Sequence, residues 1–297
     1  MFKTTQTKPV KHSKLACGEN ISLNQPRAKP RRPPPSSKSH PAHGVSGVLS
    51  PGARGELLLV DISNTFVKLA IAKNGRIGRV HRLPTKSLRA DQILAITDGH
   101  RLKGTVAASV VPEKCRAVNA ACGPGVCWVG PDIALGVGID YPSPRGIGPD
   151  RLANAAGCRA HYGVPAIVVD FGTAVTFDVL SAGGDYIGGV IAPGLNAMTE
   201  YLHDRTALLP FIKLSEPVSA VGRSTRDAMI SGAVYGYRGL VSEIIHRVKC
   251  EAFPRRRPKV IATGGDASLI ASGSSLFDAV DPLLTLRGLL VVAKLNL

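Results

Sequence analysis

The stretch that most limits what this chain can fold into occurs twice. Residues 57–69 read Leu-Leu-Leu-Val-Asp-Ile-Ser-Asn-Thr-Phe-Val-Lys-Leu, and residues 166–178 read Ala-Ile-Val-Val-Asp-Phe-Gly-Thr-Ala-Val-Thr-Phe-Asp. At an offset of 109, Asp61 falls on Asp170, Ser63 on Gly172, Asn64 on Thr173 and Thr65 on Ala174. Each copy is a buried strand that ends in a carboxylate, turns on small or polar residues, and resumes as a strand. Such a turn presents backbone N–H groups and a hydroxyl to a phosphate, with a carboxylate beside it to hold the neutralising metal. One copy is a weak sign, since an ordinary hairpin can carry the same residues. Two copies suggest related halves with a nucleotide in the cleft between them.

Charge has to be located before it is read. The 297 residues carry a formal net charge of +16, but residues 1–55 hold ten Lys or Arg against the single acid Glu19. That leaves 27 bases and 20 acids, a net +7, on the rest, which argues against a nucleic-acid-binding body. Residues 1–50 are rich in Pro, Lys, Arg and Ser, with the run Lys29-Pro30-Arg31-Arg32-Pro33-Pro34-Pro35. A disordered tail is expected, serving as a tether to acidic partners, as a targeting arm, or as a dispensable extension. The six cysteines show no metal-ligand or disulfide spacing. No apolar run approaches the ~20 residues of a membrane span, and no secretory signal precedes the body, so a cytoplasmic protein is expected.

From Glu56 the pattern predicts strands at 57–60, 66–72 and 76–81, a helix over 88–101, a strand over 104–111, a short helix over 113–121 and a strand over 126–129. Residues 136–150, broken by Gly and Pro, read as a loop. A helix over 150–162 follows, with Pro149 in its first turn and Gly163 as its stop. The second half repeats the plan: strands over 166–180 and 186–191, helices over 196–206 and 224–250, a strand over 259–262 running into Thr263-Gly264-Gly265-Asp266, and a closing helix over 283–295. The expected class is α/β, with duplicated halves at 56–147 and 148–297 after the tail.

This plan resembles the actin-like ATPase and sugar-kinase superfamily, with its ribonuclease-H-like domains, and within it the type III pantothenate kinases. The resemblance rests on short blocks in the family's order: Asp61-Ile62-Ser63-Asn64-Thr65 with Lys68, Ser109–Pro112, Tyr141 before Gly148-Pro149-Asp150-Arg151, and Asp170–Thr176. Gly188-Gly189, Pro193-Gly194, Thr206–Pro210, Gly222–Thr225 and Thr263–Asp266 complete it. It implies ATP-dependent phosphorylation of pantothenate by a homodimer that uses Mg2+ and a monovalent cation, potassium or ammonium. Asp61, Ile62, Ser63, Asn64, Thr65, Phe66, Val67 and Lys68 would bind the ATP phosphates, with Asp61 near the magnesium and Thr173 facing them. Asp170 would hold the monovalent cation. Tyr141, Gly148, Pro149, Asp150, Arg151 and Thr225 would form the pantothenate site, with Asp150 as catalytic base.

Elementary chemistry agrees with these roles. Phosphoryl transfer asks mainly for positioning and charge neutralisation. A carboxylate at a helix start can orient an alcohol, and Arg151 could pair with a substrate carboxylate or phosphate oxygen. Two departures stand out. Ser63 occupies a position that is usually Gly in the family, where a side chain could crowd the phosphate or strain the turn at a cost of about 1 kcal/mol. Pro149 removes one backbone N–H from the acceptor site. Two other functions remain open, a catalytically weak nucleotide-binding regulator and a kinase for a different small alcohol.

Overall fold

The computed structural model describes residues 55–297, so the basic tail of the sequence reading lies outside the described residues. Five strands form the first sheet: β1 (Glu56–Ile62), β2 (Phe66–Lys73), β3 (Arg76–Pro84), β4 (Leu102–Ser109) and β5 (Val126–Trp128). Their spatial order is β3-β2-β1-β4-β5, with β1–β2–β3 antiparallel and β4 parallel to β1. The second sheet uses β6 (Gly138–Ile139), β7 (Ala166–Phe171), β8 (Ala174–Leu180), β9 (Asp185–Pro193), β10 (Lys259–Gly264) and β11 (Ala279–Val280). Its order, β11-β10-β7-β8-β9-β6, repeats the first plan and adds β6 at the edge. The 3-2-1-4-5 order is therefore laid down twice, as the repeated strand–turn–strand leads one to expect.

Two helices fill the space between the sheets. These are α3 (Pro149–Tyr162) and α7 (Leu284–Asn296). They cross closely because two glycines leave room: a Cβ on Gly157 would come within 2.7 Å of the Leu284 carbonyl oxygen, and one on Gly288 would overlap that of Ala153. Around this crossing Leu59, Val106, Leu152, Val168, Leu180, Ile261 and Leu289 form one continuous core that both sheets share. Such a core fixes the sheets relative to each other, because interdigitated side chains at near-crystalline density resist sliding.

The outer faces are covered differently. The first sheet carries the short helices α1 (Ala90–Thr97) and α2 (Cys115–Cys122) over Leu58, Val60 and Leu69. The second carries α5 (Thr225–Ala252) and α6 (Ala267–Ala271) over Ile167, Val169 and Phe177, with α4 (Leu195–Arg205) beside α5. The predicted helix over 88–101 is shorter than its apolar pattern, since Gly99 turns the chain with φ 74°. The 224–250 segment is a single helix of 28 residues, started by Ser224, whose Oγ accepts from the Asp227 N–H at 3.1 Å. Three elements fall outside the sequence reading, β6, α6 and β11, all too short for periodicity to show; β6 lies in the stretch read as a loop. No described helix is long and apolar enough to cross a membrane, and no disulfide joins the described cysteines.

Candidate active site

The register of the two sheets brings the acidic turns together. Asp61 and Asp170 are each the last residue but one of their strands, β1 and β7; the hydroxyls of Thr65 and Thr173, one from each turn, are 3.1 Å apart. The first turn is braced from within the sheet: Thr85 Oγ1 donates to the Ser63 carbonyl at 2.7 Å and the Thr85 N–H to that of Thr65 at 3.0 Å. Ser63 sits in ordinary backbone, because Asn74 is the only described non-glycine residue with positive φ. The strain anticipated at Ser63 is therefore absent. Its hydroxyl instead donates to Asp61 Oδ1 at 3.3 Å.

The second turn is assembled by close backbone approach. A Cβ on Gly194 would come within 2.5 Å of the Gly172 and Thr173 carbonyl oxygens, and one on Gly264, at φ 93°, would lie 2.5 Å from the Phe171 backbone and 2.6 Å from Asp170 Oδ1. These contacts explain Gly194 and Gly264, in two blocks distant in sequence, Pro193-Gly194 and Thr263-Gly264-Gly265. They pack the end of β9 and the end of β10 onto the Asp170 turn.

Asp150 enters this space from the first turn of α3, where its charge is favoured by the helix dipole. Gly148 makes room for it, since a Cβ there would sit 2.5 Å from Asp150 Oδ1. Pro149 takes the first helical position, where its missing N–H is not required. Burial pushes the Asp150 carboxyl above its usual range and the negative charge of Asp170 adds to this, while the Arg151 N–H, donating to Oδ1 at 2.8 Å, opposes it. Asp61 is only 2% exposed, and burial lifts it to about 6 against Lys68, whose ammonium is 3.6 Å away; Asp150 and Asp170 push it further up. Three carboxylates thus share one poorly solvated neighbourhood, a high-energy arrangement that a bound cation would relieve.

Arg151 has buried partners that the sequence does not reveal. Its Nε donates to Asp178 Oδ1 at 2.6 Å and its Nη2 to the Phe177 carbonyl at 3.4 Å, with the guanidinium 5.7 Å from the centre of the Tyr186 ring. A Cβ on Gly189 would collide with the Phe177 oxygen and reach Arg151 Nη2 at 2.6 Å, so Gly189 clears the groove that the arginine occupies. Asp178 is fully buried, and burial raises it to about 7 despite the Arg151 charge; its Oδ2 has no hydrogen-bond partner. Tyr141 stacks edge-on against Tyr186 with centroids 6.0 Å apart, and its ring is partly exposed. Tyr141 and Arg151 therefore meet through Tyr186, in a wall that Gly148, Pro149 and Asp150 adjoin at the start of α3. Thr225 is exposed at the start of α5, and among the described residues no hydrogen bond or ion pair ties it to that wall.

Of the other predicted ligands, Lys68 faces Asp61, while Asn64 and Thr65 are exposed at the turn and Phe66 is half-buried under the Arg82 guanidinium, 3.6 Å from its ring centre. Ile62 and Val67 are buried in the first-sheet core, so only their backbone can face a ligand. Sequence reading missed Thr85, Asp178 and Tyr186. It also missed Asn154, whose Nδ2 donates to Asp170 Oδ2 at 2.8 Å while its Oδ1 accepts from Thr285 at 2.8 Å. Only Asp178 carried a sign, as the acid at the end of the second copy of the strand–turn–strand.

The chain as a whole matches known proteins. The family model of type III pantothenate kinase matches residues 57–247. A protein named type III pantothenate kinase from Akkermansia muciniphila is 48% identical over 241 residues, 81% of this chain and 99% of its own length. Another of that name from Methylacidiphilum infernorum is 39% identical over 239 residues, 80% of this chain and 88% of its own. Among solved structures, a conserved putative Baf family transcriptional activator from Campylobacter jejuni superposes with a TM-score of 0.54 at 22% identity, over 80% of this chain and 97% of that one. The ethanolamine utilization protein EutJ from Carboxydothermus hydrogenoformans gives 0.51 at 14%, over 85% and 94%. At those identities the two structures establish the fold alone.

Proposed function

Because the chain belongs to the type III pantothenate kinase family, we propose that it transfers the terminal phosphoryl group of ATP to the primary hydroxyl of pantothenate, giving 4'-phosphopantothenate and ADP at the start of coenzyme A synthesis. The observation that carries this reading is the placement of Asp150 beside two acidic turns whose threonines touch. Residues 56–147 and 148–297 act as the two halves that grip the nucleotide.

Asp150 accepts the proton of the pantothenate hydroxyl. That oxygen bonds to the terminal phosphorus as the bond to the bridging oxygen breaks, and ADP leaves with the electron pair. A carboxylate raised by burial is a stronger base than one in water, which suits it to an alcohol. Arg151, fixed against Asp178, presents its remaining N–H groups beside Tyr186 and Tyr141, where they orient the acceptor. Thr225 joins the acceptor site by resemblance alone. Backbone N–H groups of residues 62–67, the Lys68 ammonium and Thr173 hold the phosphates.

Magnesium, when bound, neutralises the phosphate charge, and Asp61 would hold it. The fit is chemical: among the described residues no three acidic, His or Cys side chains form a metal cage, and Mg2+ is commonly held by one or two carboxylates together with substrate phosphates and water. Asp170 would hold the monovalent cation. Thr263, its register partner on β10, buries an Oγ1 with no hydrogen-bond partner, and such an oxygen beside a carboxylate suits a potassium or ammonium ion. A homodimer would give cover to large apolar side chains that stand exposed between residues 191 and 235, among them Ile191, Tyr201, Leu208, Phe211, Val221 and Tyr235.

Phosphorus NMR of the chain with ATP, Mg2+, potassium and pantothenate tests the reading. A new phosphomonoester resonance should grow in step with ADP. Turnover of ATP that leaves pantothenate unmodified would rule it out in favour of another acceptor.

A further inference from the structure

A second concave site lies away from the cleft. Asn74 and Gly75, both at positive φ, turn the β2–β3 hairpin, and its tip meets the end of α3 and the face of α7 around a cavity of about 290 Å3. Ile77, Leu283 and Leu290 give that cavity an apolar wall, while Arg76, His161 and Arg287 line it from three separate elements. Lys294 adds a fourth basic group, since a Cβ on Gly75 would sit 3.8 Å from its ammonium.

The charge here is unbalanced. Arg287 Nη1 is 3.2 Å from Asp281 Oδ2, a buried carboxylate that also accepts from the Tyr162 hydroxyl at 3.0 Å and from the Leu283 N–H at 3.0 Å. Asp281 is thus committed beneath the cavity and offsets one cation. Among the described residues, no hydrogen bond or ion pair engages the side chains of Arg76, His161 or Lys294. The imidazole of His161 feels the excess: burial first, then the charges of Arg287 and Lys294, hold its pKa below the ordinary value, with Asp281 opposing them. Convergence of like charges on one hollow is unfavourable until an anion fills it.

We propose that this hollow binds a small phosphate-bearing anion. Guanidinium forks and an ammonium match phosphate oxygens, and the apolar wall suits a short carbon body. The volume is at the lower limit of ligand sites, too small for a nucleotide. The site does not depend on the kinase reading. It lies at the far end of α3, where His161 is eleven residues, or about 16 Å along the helix, from Asp150.

Histidine NMR on the full chain tests this, with His161→Gln assigning the resonance and inorganic phosphate and glycerol 3-phosphate as probes. Saturable shifts of His161 are expected, with a rise in its pKa, because a neighbouring anion favours imidazolium. The double change Arg76→Glu and Lys294→Glu, both at exposed positions, should weaken binding roughly tenfold or more while the melting temperature holds. Asp61→Asn in the cleft should leave the His161 response intact. Tighter binding of the ester than of phosphate would identify a phosphorylated metabolite as the ligand, and the reverse would identify free phosphate. A His161 that responds to neither probe, that responds equally to glycerol, or that keeps full affinity in the double variant would overturn the proposal.

Discussion

The two acidic turns share topology and differ in chemistry. Both follow the central strand of a 3-2-1-4-5 sheet. Yet Asp61 is buried with Lys68 and Ser63 as partners, whereas Asp170 is half-buried, takes an N–H from Asn154 on α3, and faces Thr263 across β10. The first turn is braced from its own sheet through Thr85; the second is closed by glycines from two distant loops. A duplicated backbone therefore fixes where two carboxylates stand, and their neighbours decide what each holds. In this account the first turn takes the phosphates and their divalent ion, and the second takes the monovalent ion and supports the base on α3.

Substitutions can break that division. Asp150→Asn should have the largest effect, lowering kcat about a thousandfold while ATP affinity persists, because only the proton acceptor is lost; steady-state kinetics beside nucleotide titration will show it. Asp61→Asn should cost about a hundredfold in kcat/KM for ATP, while Asp170→Asn should instead flatten the dependence of turnover on potassium. If both variants lose potassium dependence alike, the two turns are not specialised. Asp178→Asn removes the carboxylate that aims Arg151 and should raise the KM for pantothenate roughly tenfold with the KM for ATP unchanged.

A smaller effect concerns stability. Asp61 and Asp178, raised to about 6 and about 7, bind protons more tightly folded than unfolded. Their contribution to stability is fully present below the unfolded carboxylate range and is lost as pH rises through 6 to 7. The ligand-free chain should melt at a higher temperature at pH 5.5 than at pH 8, and Asp178→Asn should shrink that difference. Ser63→Gly should change ATP affinity least, by about twofold, because Ser63 already sits in unstrained backbone and loses only a long hydrogen bond.

Much of this was legible in the residues. The apolar runs ending in Asp61 and Asp170 marked the repeated strand, and Pro149 with Gly163 bounded α3, since turn chemistry and burial are local. The partners of those residues were not legible. Asp178 finds Arg151 across 27 positions, Asn154 finds Thr285 across 131, and Thr85 reaches back 22 residues to brace the Ser63 turn. Such pairs depend on strand register and on the α3–α7 crossing, which no local pattern encodes. Arg151 makes the same point: it was legible as a candidate for a substrate anion, but its buried partner Asp178, which takes its Nε, was not.

The central claim is that both turns grip one nucleotide. Calorimetric titration with a non-hydrolysable ATP analogue, on the wild-type chain, Asp61→Asn and Thr173→Val, tests it most directly. The account predicts one nucleotide per chain, with affinity reduced by a change at either turn. Two nucleotides per chain, or a Thr173→Val protein that binds as tightly as wild type, would contradict it.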